Sequence, residues 1–534
     1  MIGVAFKPTE RETVREFFEL FKTPWEAARR DRKYPVVLST VGRPDGIEAQ
    51  RLLLYGATKQ ATDDRPNVTV QRSSTITEVE WDDSRFPLYR GALFFSGAGP
   101  AVLRSAGQAV DYQAEDILAR RVGYDLFDEV GHLLTVGQPP ARARTPTLEL
   151  HIALLRRLLL ESGISFVEVP PRPAGCDFIC CLTHDIDFFG IKRHGFDRTL
   201  AGFVFRASVG TLADVVRRRR PVADAVRNCA ALLSLPLVFL GLAPDLWRPI
   251  AEYARADDGR PSTFFVVPFR DRPGIAPGGG VETRRAVKYQ ASEVAGQLKA
   301  ASAHGNELAV HGIDAWRDAG AGREELAELL ALTGRSTAGI RMHWLYFSAD
   351  SPHQLEAAGF DYDSTWGYNE AVGYRAGTSQ VFCLPGTDGL MELPMCVMDS
   401  AMFFPNRMAL PPADAVSLCR QIVSDARRCG GTLVINWHDR STAPERLWGQ
   451  AYRTLLEEIQ LNGRVWFATG TQAVQWFRWR RAIRFSRDAA AGGPVQVLAP
   501  PAPQAGGIAR VHSVVSGRPE LRDRPLDGPT RIDV

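Results

Sequence analysis

The sequence predicts an α/β protein in which a parallel sheet, closed or nearly closed and covered by helices, follows a smaller α/β domain. From residue 176 to about residue 485, short apolar segments of strand length alternate with segments of helical apolar spacing. Such alternation favours parallel strands because each helix returns the chain to the same edge of the sheet. The chain has 534 residues, which is enough for two or more domains.

Residues 1–170 form the predicted first domain. Residues 35–40 and 91–96 are apolar segments of strand length, and residues 148–160 have the spacing of an amphipathic helix. No catalytic constellation occurs in this region, so we expect an accessory domain without activity of its own. The proline-rich residues 170–173 are the predicted linker to the second domain.

Residues 176–485 contain the alternating elements of the predicted second domain. Its strands are expected at residues 178–182, 262–267, 308–311, 339–342, 390–394, 432–436 and 465–468. Helices are expected at residues 289–303, 323–333 and 351–358, among others. An insertion rich in Arg and Leu occupies about residues 188–260. The Ala-, Gly- and Pro-rich residues 488–534 predict a disordered tail.

Composition and charge are those of a soluble globular protein, with 45% hydrophobic and 23% charged residues. The formal net charge of +3 gives no support for a nucleic-acid partner. The eight cysteines have no regular spacing, which favours reduced thiols. The first residues become charged too early for a signal peptide. Together these features predict a cytoplasmic protein.

The insertion contains the most apolar stretch of the chain, residues 230–242, preceded by four arginines at residues 217–220. At about a dozen residues, this stretch is shorter than the roughly 20 residues of a membrane span. Two interpretations stay open: a buried helix beside a solvated basic turn, or a peripheral contact with a membrane.

Ionisable residues follow four of the predicted strands directly. They are Asp185 and Asp187 after the first strand, His311, Arg341 with His343, and His438. In parallel α/β folds, active sites gather at the carboxyl ends of the strands. The pattern therefore predicts one convergent site, and its His, Asp and Arg content indicates a metal-dependent hydrolase.

The second domain resembles the polysaccharide deacetylases of carbohydrate esterase family 4. Thr183-His184-Asp185-Ile186-Asp187 is similar to the family's Thr-Phe-Asp-Asp-Gly motif, and residues 262–266 are similar to its Ala-Thr-Phe-Phe strand. His311-Gly312, Arg341-Met342-His343-Trp344 and Asn436-Trp437-His438 resemble its three later motifs, in the family's order. The resemblance implies a distorted (β/α) barrel that uses a divalent metal, with zinc the expected ion, to remove N- or O-acetyl groups from sugars.

The resemblance also implies roles for the acidic motif and for His311. Asp185 takes the position of the catalytic base. Ile186 stands where the family has a metal-binding Asp, so the metal role passes to Asp187, whose side chain faces the same way on an extended strand. His311 is a metal ligand in this assignment. Ala315 stands where the family has its second His, which leaves Asp314, His184 or water as the third ligand.

The remaining roles follow from the last two motifs. Arg341 steadies Asp185, and His438 is the general acid, oriented by the adjacent Asp439 and Arg440. Trp344 is the expected wall of the substrate pocket, whereas His343 receives no role. Trp366 lines an apolar pocket for the acyl methyl group or packs in the core.

The sequence thus predicts a metal-dependent hydrolase that removes an acetyl-like group from an amide or ester of a carbohydrate. We expect the partner to be a sugar-containing biosynthetic intermediate, because the sequence shows no export signal. One alternative is an amidohydrolase of a non-sugar carbon–nitrogen bond. The other is an inactive glycan-binding module, which the departures at Ile186, Ala315 and His343 would explain.

Overall fold

The computed structural model describes residues 1–114, 119–218, 220–461, 463–487, 494–516, 518–526 and 528–533. In the first region, a partly parallel six-stranded sheet packs near a six-stranded antiparallel sheet. Its strands are β1 (Ile2–Ala5), β2 (Trp25–Ala27), β3 (Lys33–Tyr34), β4 (Val36–Ser39), β5 (Glu48–Ala49), β6 (Leu52–Tyr55), β7 (Thr69–Ser73), β8 (Thr77–Trp81), β9 (Ser84–Leu88), β10 (Ala92–Ser96), β11 (Arg104–Ser105), β12 (Gln108–Ala109), β13 (Asp111–Gln113), β14 (Ala119–Val122) and β15 (Phe166–Glu168). Its helices are α1 (Arg11–Phe21), α2 (Leu126–Thr135) and α3 (Thr147–Glu161).

The second region contains a ten-stranded, mainly parallel sheet. Its strands are β16 (Phe178–Ile186), β17 (Ser262–Val266), β18 (Glu307–Gly312), β19 (Ile340–Met342), β20 (Tyr362–Asp363), β21 (Phe382–Cys383), β22 (Met391–Glu392), β23 (Val397–Met398), β24 (Thr432–Asn436) and β25 (Val465–Phe467). The order is β21-β22-β20-β19-β18-β17-β16-β24-β23, and β25 also pairs with β16. Among the described residues, this hydrogen-bonded path ends at β21 and β23, so the sheet curls without closing. This is a mixed α/β fold.

Helices surround this sheet and form the insertion. They are α4 (Arg198–Phe205), α5 (Thr211–Val216), α6 (Val222–Phe239), α7 (Pro249–Ala256), α8 (Ala295–Ala303), α9 (Ala319–Thr333), α10 (Ser351–Ala358), α11 (Asp399–Phe403), α12 (Pro412–Cys429), α13 (Gly449–Leu461) and α14 (Gly470–Ala482). All nine residues of β16 are buried, as expected for a parallel strand covered on both faces.

The register of the central strands decides which side chains meet. Thr183 lies opposite Asn436, Asp185 lies opposite Phe265, and His311 lies opposite Arg341. Because these strands are parallel, their carboxyl ends lie at one edge of the sheet. We call this edge the catalytic edge.

The insertion is helical but is not a buried helix, so that interpretation of residues 230–242 is wrong. Leu233 is 80% exposed and Leu240 is 72% exposed. A π-helical turn, Arg206–Gly210, joins α4 to α5 into one helix. By length and composition, Arg198–Val216 and Val222–Phe239 are two helices that could cross a membrane.

The expected disordered tail instead contains strands, and that prediction is wrong for the described part of residues 488–534. The last strands are β26 (Arg484–Arg487), β27 (Val495–Leu498), β28 (Gly507–Val515), β29 (Arg518–Leu526) and β30 (Thr530–Ile532). β28 pairs with the neighbouring strand β29 along its whole length and with β15 over three residues, so the segment forms a hairpin attached to the first region despite its composition. Residues 488–493 lie outside the described residues.

The two regions share one continuous hydrophobic core. Buried polar contacts also join them. The amide of Gln138 donates to the carbonyl oxygen of Tyr374 at 2.6 Å, and the guanidinium of Arg480 donates to the carbonyl oxygens of Leu20 and Val169 at 3.0 and 2.7 Å. The linker is packed as well, because the carbonyl oxygen of Pro171 accepts from Gly431. The first region is therefore built onto the second and is not a loosely tethered module.

Candidate active site

Asp185 is held at the catalytic edge by two donors. Arg341 Nη1 donates to Asp185 Oδ1 at 2.9 Å, and Asn436 Nδ2 donates to Asp185 Oδ2 at 2.7 Å. Burial raises the pKa of Asp185, but the Arg341 guanidinium, together with His311 and His438, outweighs burial and lowers that pKa below its usual value. The Asp185 carboxylate is therefore ionised and fixed in orientation near neutral pH.

Arg341 is itself fully buried and fixed by its surroundings. Its guanidinium donates to Thr183 Oγ1 at 2.8 Å and to the carbonyl and hydroxyl oxygens of Ser364 at 3.0 and 2.9 Å. It also lies 4.1 Å above the ring of Phe265. With every neighbour in place, Arg341 acts as a rigid positive charge behind Asp185.

Beside Asp185, three side chains converge in a geometry suited to a metal ion. Asp187 Oδ1 lies 3.4 Å from His311 Nε2 and 3.3 Å from His343 Nε2. One ligand atom from each residue lies within 4.8 Å of the others. Ligand atoms at zinc-binding distance from a tetrahedral ion are separated by about 3.3 Å, so the spacing around Asp187 fits such an ion.

Hydrogen bonding and protonation also fit a metal. His311 Nδ1 lies 2.9 Å from the carbonyl oxygen of Arg341, which fixes the proton on Nδ1 and leaves Nε2 free to bind an ion. Asp187 Oδ1 is buried and accepts no hydrogen bond from the residues that the structure describes. Such an orphaned carboxylate oxygen is costly without a cation.

The protonation states of these ligands are the ones a metal requires. Burial lowers the pKa of His343 to about 3, so its imidazole is neutral at pH 7. Burial opposes ionisation of Asp187, but His343 and His311 outweigh it and lower its pKa far below the usual value. A neutral imidazole and an ionised carboxylate are the forms that bind metal ions.

Asp314 and His184, the expected candidates for a third ligand, have other partners. Asp314 Oδ1 accepts from the backbone N–H of Ile275 at 2.9 Å, and Asp314 is not in the group of three. His184 uses both ring nitrogens, at 2.9 Å from the carbonyl oxygen of Trp437 and 3.1 Å from Asp257 Oδ2. The third position of the group belongs to His343, which sequence reasoning left without a role.

His438 approaches the same oxygen of Asp185 as His311 does. Its Nε2 lies 3.9 Å from Asp185 Oδ2, and its Nδ1 lies 2.5 Å from Asp399 Oδ1. The backbone N–H of His438 also donates to Asp399 Oδ2 at 2.8 Å. Burial lowers the pKa of His438, but the charge and hydrogen bond of Asp399 raise it to about 9. His438 is thus a protonated imidazolium near pH 7, with Nε2 close to the Asp185 carboxylate.

Asp399 was missed, and the expectation that Asp439 and Arg440 orient His438 is wrong. Asp439 instead accepts from the backbone N–H of Phe188, and the Arg440 guanidinium lies 3.7 Å above the Phe188 ring. The signal for Asp399 was available, because it directly follows the apolar residues of β23, as the other site residues follow their strands.

The two tryptophans differ in position. Trp344 is 38% exposed and follows His343 directly, in a turn where both Trp344 and Leu345 have positive φ. Trp366 is buried and packs edge-on against the rings of Phe347 and Phe382, so it belongs to the core. Trp344 alone of this pair lies at the surface of the candidate site.

A cavity of about 540 Å³ lies between the two regions of the chain. Leu345 and Asn369 line it on one side, and Tyr89 and His132 line it on the other. Asn369 Nδ2 donates to the carbonyl oxygen of Trp344 at 2.9 Å, which links the cavity wall to the turn that carries His343.

Comparison with known proteins gives limited matches. No family model and no curated protein matches the chain. Several solved structures are similar over part of it, among them the following three. A Mycobacterium smegmatis protein named as a polysaccharide deacetylase is 19% identical, with a TM-score of 0.34, over 58% of this chain and 94% of its own. Puue Allantoinase is 14% identical, with a TM-score of 0.35, over 57% and 92%. A Pseudomonas aeruginosa PAO1 protein named as a probable polysaccharide deacetylase is 15% identical, with a TM-score of 0.35, over 58% and 95%.

Proposed function

We propose that this protein is a metal-dependent hydrolase that removes an acyl group from an amide or ester of a carbohydrate, through a distorted (β/α) barrel. The observation that carries the proposal is the group of Asp187, His311 and His343, set beside the pairs Asp185–Arg341 and His438–Asp399. A ligand group, a base and an acid at one sheet edge are the parts that acyl hydrolysis requires.

The ligand set favours zinc. Two imidazole nitrogens and one carboxylate oxygen form a three-ligand set typical of catalytic zinc, which leaves further positions open. A divalent ion bound there would lower the pKa of a water molecule and polarise the acyl carbonyl group.

Asp185 and His438 divide the proton transfers between them. Asp185, ionised and held by Arg341 and Asn436, accepts a proton from the attacking water. His438, protonated below about pH 9, donates a proton from Nε2 to the leaving nitrogen or oxygen, while Asp399 holds its Nδ1. Because Nε2 lies 3.9 Å from Asp185 Oδ2, one bound group can be reached by both.

The inactive-module alternative loses its main support. It rested on Ile186, Ala315 and His343, which depart from the family's motifs. Asp187 supplies a carboxylate despite Ile186, and His343 supplies a second imidazole in place of Ala315. No feature among the described residues favours a non-sugar substrate over a sugar. Trp344, partly exposed beside His343, suits stacking against a sugar ring. We further propose that the substrate is a cytoplasmic biosynthetic intermediate.

Metal content and hydrolysis, measured together, test the proposal. Asp187→Asn and His343→Gln should each lower bound zinc and the hydrolysis of acetylated glucosamine oligomers, whereas Asp185→Asn should keep zinc and lose hydrolysis by about 10²-fold or more. His304→Gln, at an exposed histidine outside the site, is the matched control. Unchanged zinc content in both ligand variants would contradict the assignment of this metal site.

A further inference from the structure

The insertion folds into a hairpin of two apolar helices. The continuous helix Arg198–Val216 and the helix Val222–Phe239 are joined by a short basic turn. Inside the hairpin, Asn228 Nδ2 donates to Thr211 Oγ1 at 2.6 Å, and both residues are buried. We call residues 198–239 the insertion hairpin.

Each helix of the insertion hairpin presents a stripe of apolar side chains to the outside. On the first helix these exposed side chains recur at i, i+4, i+7 and i+11, and they are Phe205, Val209, Leu212 and Val216. On the second helix they are Val222, Val226, Leu233 and Leu237, with the exposed Cys229 between them. A helix face that contacts water normally carries polar side chains. A contiguous apolar face of this kind marks an interaction surface.

The inner face of the insertion hairpin packs next to the catalytic edge. Phe203 and Val238 share a small core with Trp247 and Ala443. The partly buried Phe188, which directly follows Asp187, packs against the same core. The insertion hairpin is therefore packed against the segment that directly follows Asp187.

The positive charge of the insertion hairpin favours an anionic partner. Residues 198–239 contain seven Arg residues and two Asp residues, a net charge of +5 in a chain whose total is +3. Arg217 and Arg218, in the turn of the hairpin, are exposed and form no salt bridge with any carboxylate that the structure describes. Basic residues beside apolar helix faces are typical of helices that lie on anionic membranes.

The geometry favours a position on the membrane surface over a crossing. Most residues of both helices are not buried by the rest of the protein. Their inner face is occupied by Trp247 and Ala443, and arginines fill the turn that a crossing would carry through the bilayer. We propose that the insertion hairpin docks in the surface of an anionic lipid bilayer, with its stripes towards the acyl chains, Arg217 and Arg218 at the head groups, and the catalytic edge beside the membrane.

A label on Cys229 tests the docking directly. Cys229 is the one exposed cysteine among the described residues, and it lies within the outward stripe of the second helix. An environment-sensitive fluorophore there should shift towards the blue on adding phosphatidylcholine vesicles with about one-third phosphatidylglycerol, and less with phosphatidylcholine alone. The same fluorophore on Leu461→Cys, in a Cys229→Ser background, should not shift. Leu461 is exposed and lies outside the hairpin.

Substitutions separate the apolar and basic contributions. Leu212→Glu with Leu233→Glu should weaken vesicle binding by about tenfold or more, because each exposed leucine loses its burial in lipid. Leu461→Glu should leave binding unchanged. Arg217→Glu with Arg218→Glu should abolish the preference for anionic vesicles, whereas Arg335→Glu, at another exposed arginine, should preserve it. Far-ultraviolet circular dichroism and urea denaturation, measured in each variant, show whether the fold is intact.

Three outcomes would overturn the docking proposal. One is no shift of the Cys229 label with either vesicle at about 100 mM salt. A second is an equal shift at Leu461→Cys, which would indicate unspecific adsorption. The third is a dimer in light scattering that already shields Cys229, which would assign the face to a second copy of the chain. Asp187→Asn should bind vesicles normally, so failure of the hydrolase proposal and failure of the docking proposal are distinguishable.

Discussion

The replacement Asp399→Asn isolates the group that keeps His438 protonated. The amide oxygen of the substituted side chain can still accept a hydrogen bond from His438 Nδ1, while the negative charge is lost. The amide nitrogen cannot accept from the backbone N–H of His438, so that hydrogen bond is lost as well. Asp399 provides the largest of the contributions that raise the pKa of His438 against the effect of burial. We therefore expect this pKa to fall while metal content is unchanged.

The size of the effect follows from the structure. The pKa of His438 is about 9 with Asp399 in place, compared with an ordinary value of 6.5 for histidine. This difference corresponds to about 3 kcal/mol of preferential stabilisation of the imidazolium. If removal of Asp399 returned this pKa to its ordinary value, His438 at pH 8 would be about 3% protonated, compared with about 90% in the native protein, a loss of about 30-fold in active protein. At pH 6 the loss would be less than about twofold.

The assay is the pH dependence of kcat/KM for zinc-loaded protein between pH 5 and pH 10. The alkaline limb should move down by about two pH units in Asp399→Asn. Asp439→Asn is the matched control, because Asp439 follows His438 in sequence but accepts from Phe188 instead. An equal loss of activity at pH 6 and pH 8, or an alkaline limb that moves only in the Asp439 variant, would refute the role given to Asp399.

Two further predictions concern buried charges. Arg341→Met should lower the free energy of unfolding by about 3–5 kcal/mol, because Asp185 loses its buried partner. Urea denaturation measures this loss, with Arg335→Met as the control variant. Glu168 accepts a hydrogen bond from Arg156, and its carboxylate lies 2.9 Å from His512. Burial raises the pKa of Glu168, but Arg156 and His512 outweigh burial and lower that pKa. Stability from such a carboxylate is present above its unfolded pKa and is lost as the pH falls. Glu168→Gln should therefore destabilise the protein by about 2–3 kcal/mol at pH 7 and by less at pH 3.5, and an equal loss at both values would contradict the ion-pair explanation.

Strand positions of the second region could be predicted well because parallel strands buried on both faces are continuous apolar runs. Residues 262–267 were predicted, and β17 covers Ser262–Val266. The helix expected at residues 289–303 begins later, at Ala295, because residues 291–294 form a 3₁₀ turn. The tail was not predictable from composition. Its two nine-residue strands, β28 and β29, pair with each other, and β28 also pairs with the distant β15, a contact that leaves no local signal.

The prediction of a buried helix in the insertion was wrong for a different reason. An apolar run such as residues 230–242 has the composition of a core helix, and composition cannot say whether polypeptide or another medium covers it. Only the packing in the structure shows whether such a helix is buried. The core of the insertion is too small to cover both helices, since it buries Phe203, Ala231 and Val238 but leaves Leu233 and Leu237 outside.

The candidate site shows which kind of sequence reasoning transfers between related architectures. Spacing within a motif gave the wrong third ligand. It pointed to the neighbourhood of Ala315 and so to Asp314, whose carboxylate instead accepts a hydrogen bond from the backbone N–H of Ile275. The position of a residue at a strand end would have identified the third member of the group. His311 and Arg341 are paired in the register of β18 and β19, so the residue two positions after Arg341 projects beside His311. That residue is His343, and its Nε2 lies 3.3 Å from Asp187 Oδ1. A ligand position is defined by the sheet edge it occupies, and a neighbouring strand can supply it when the motif does not.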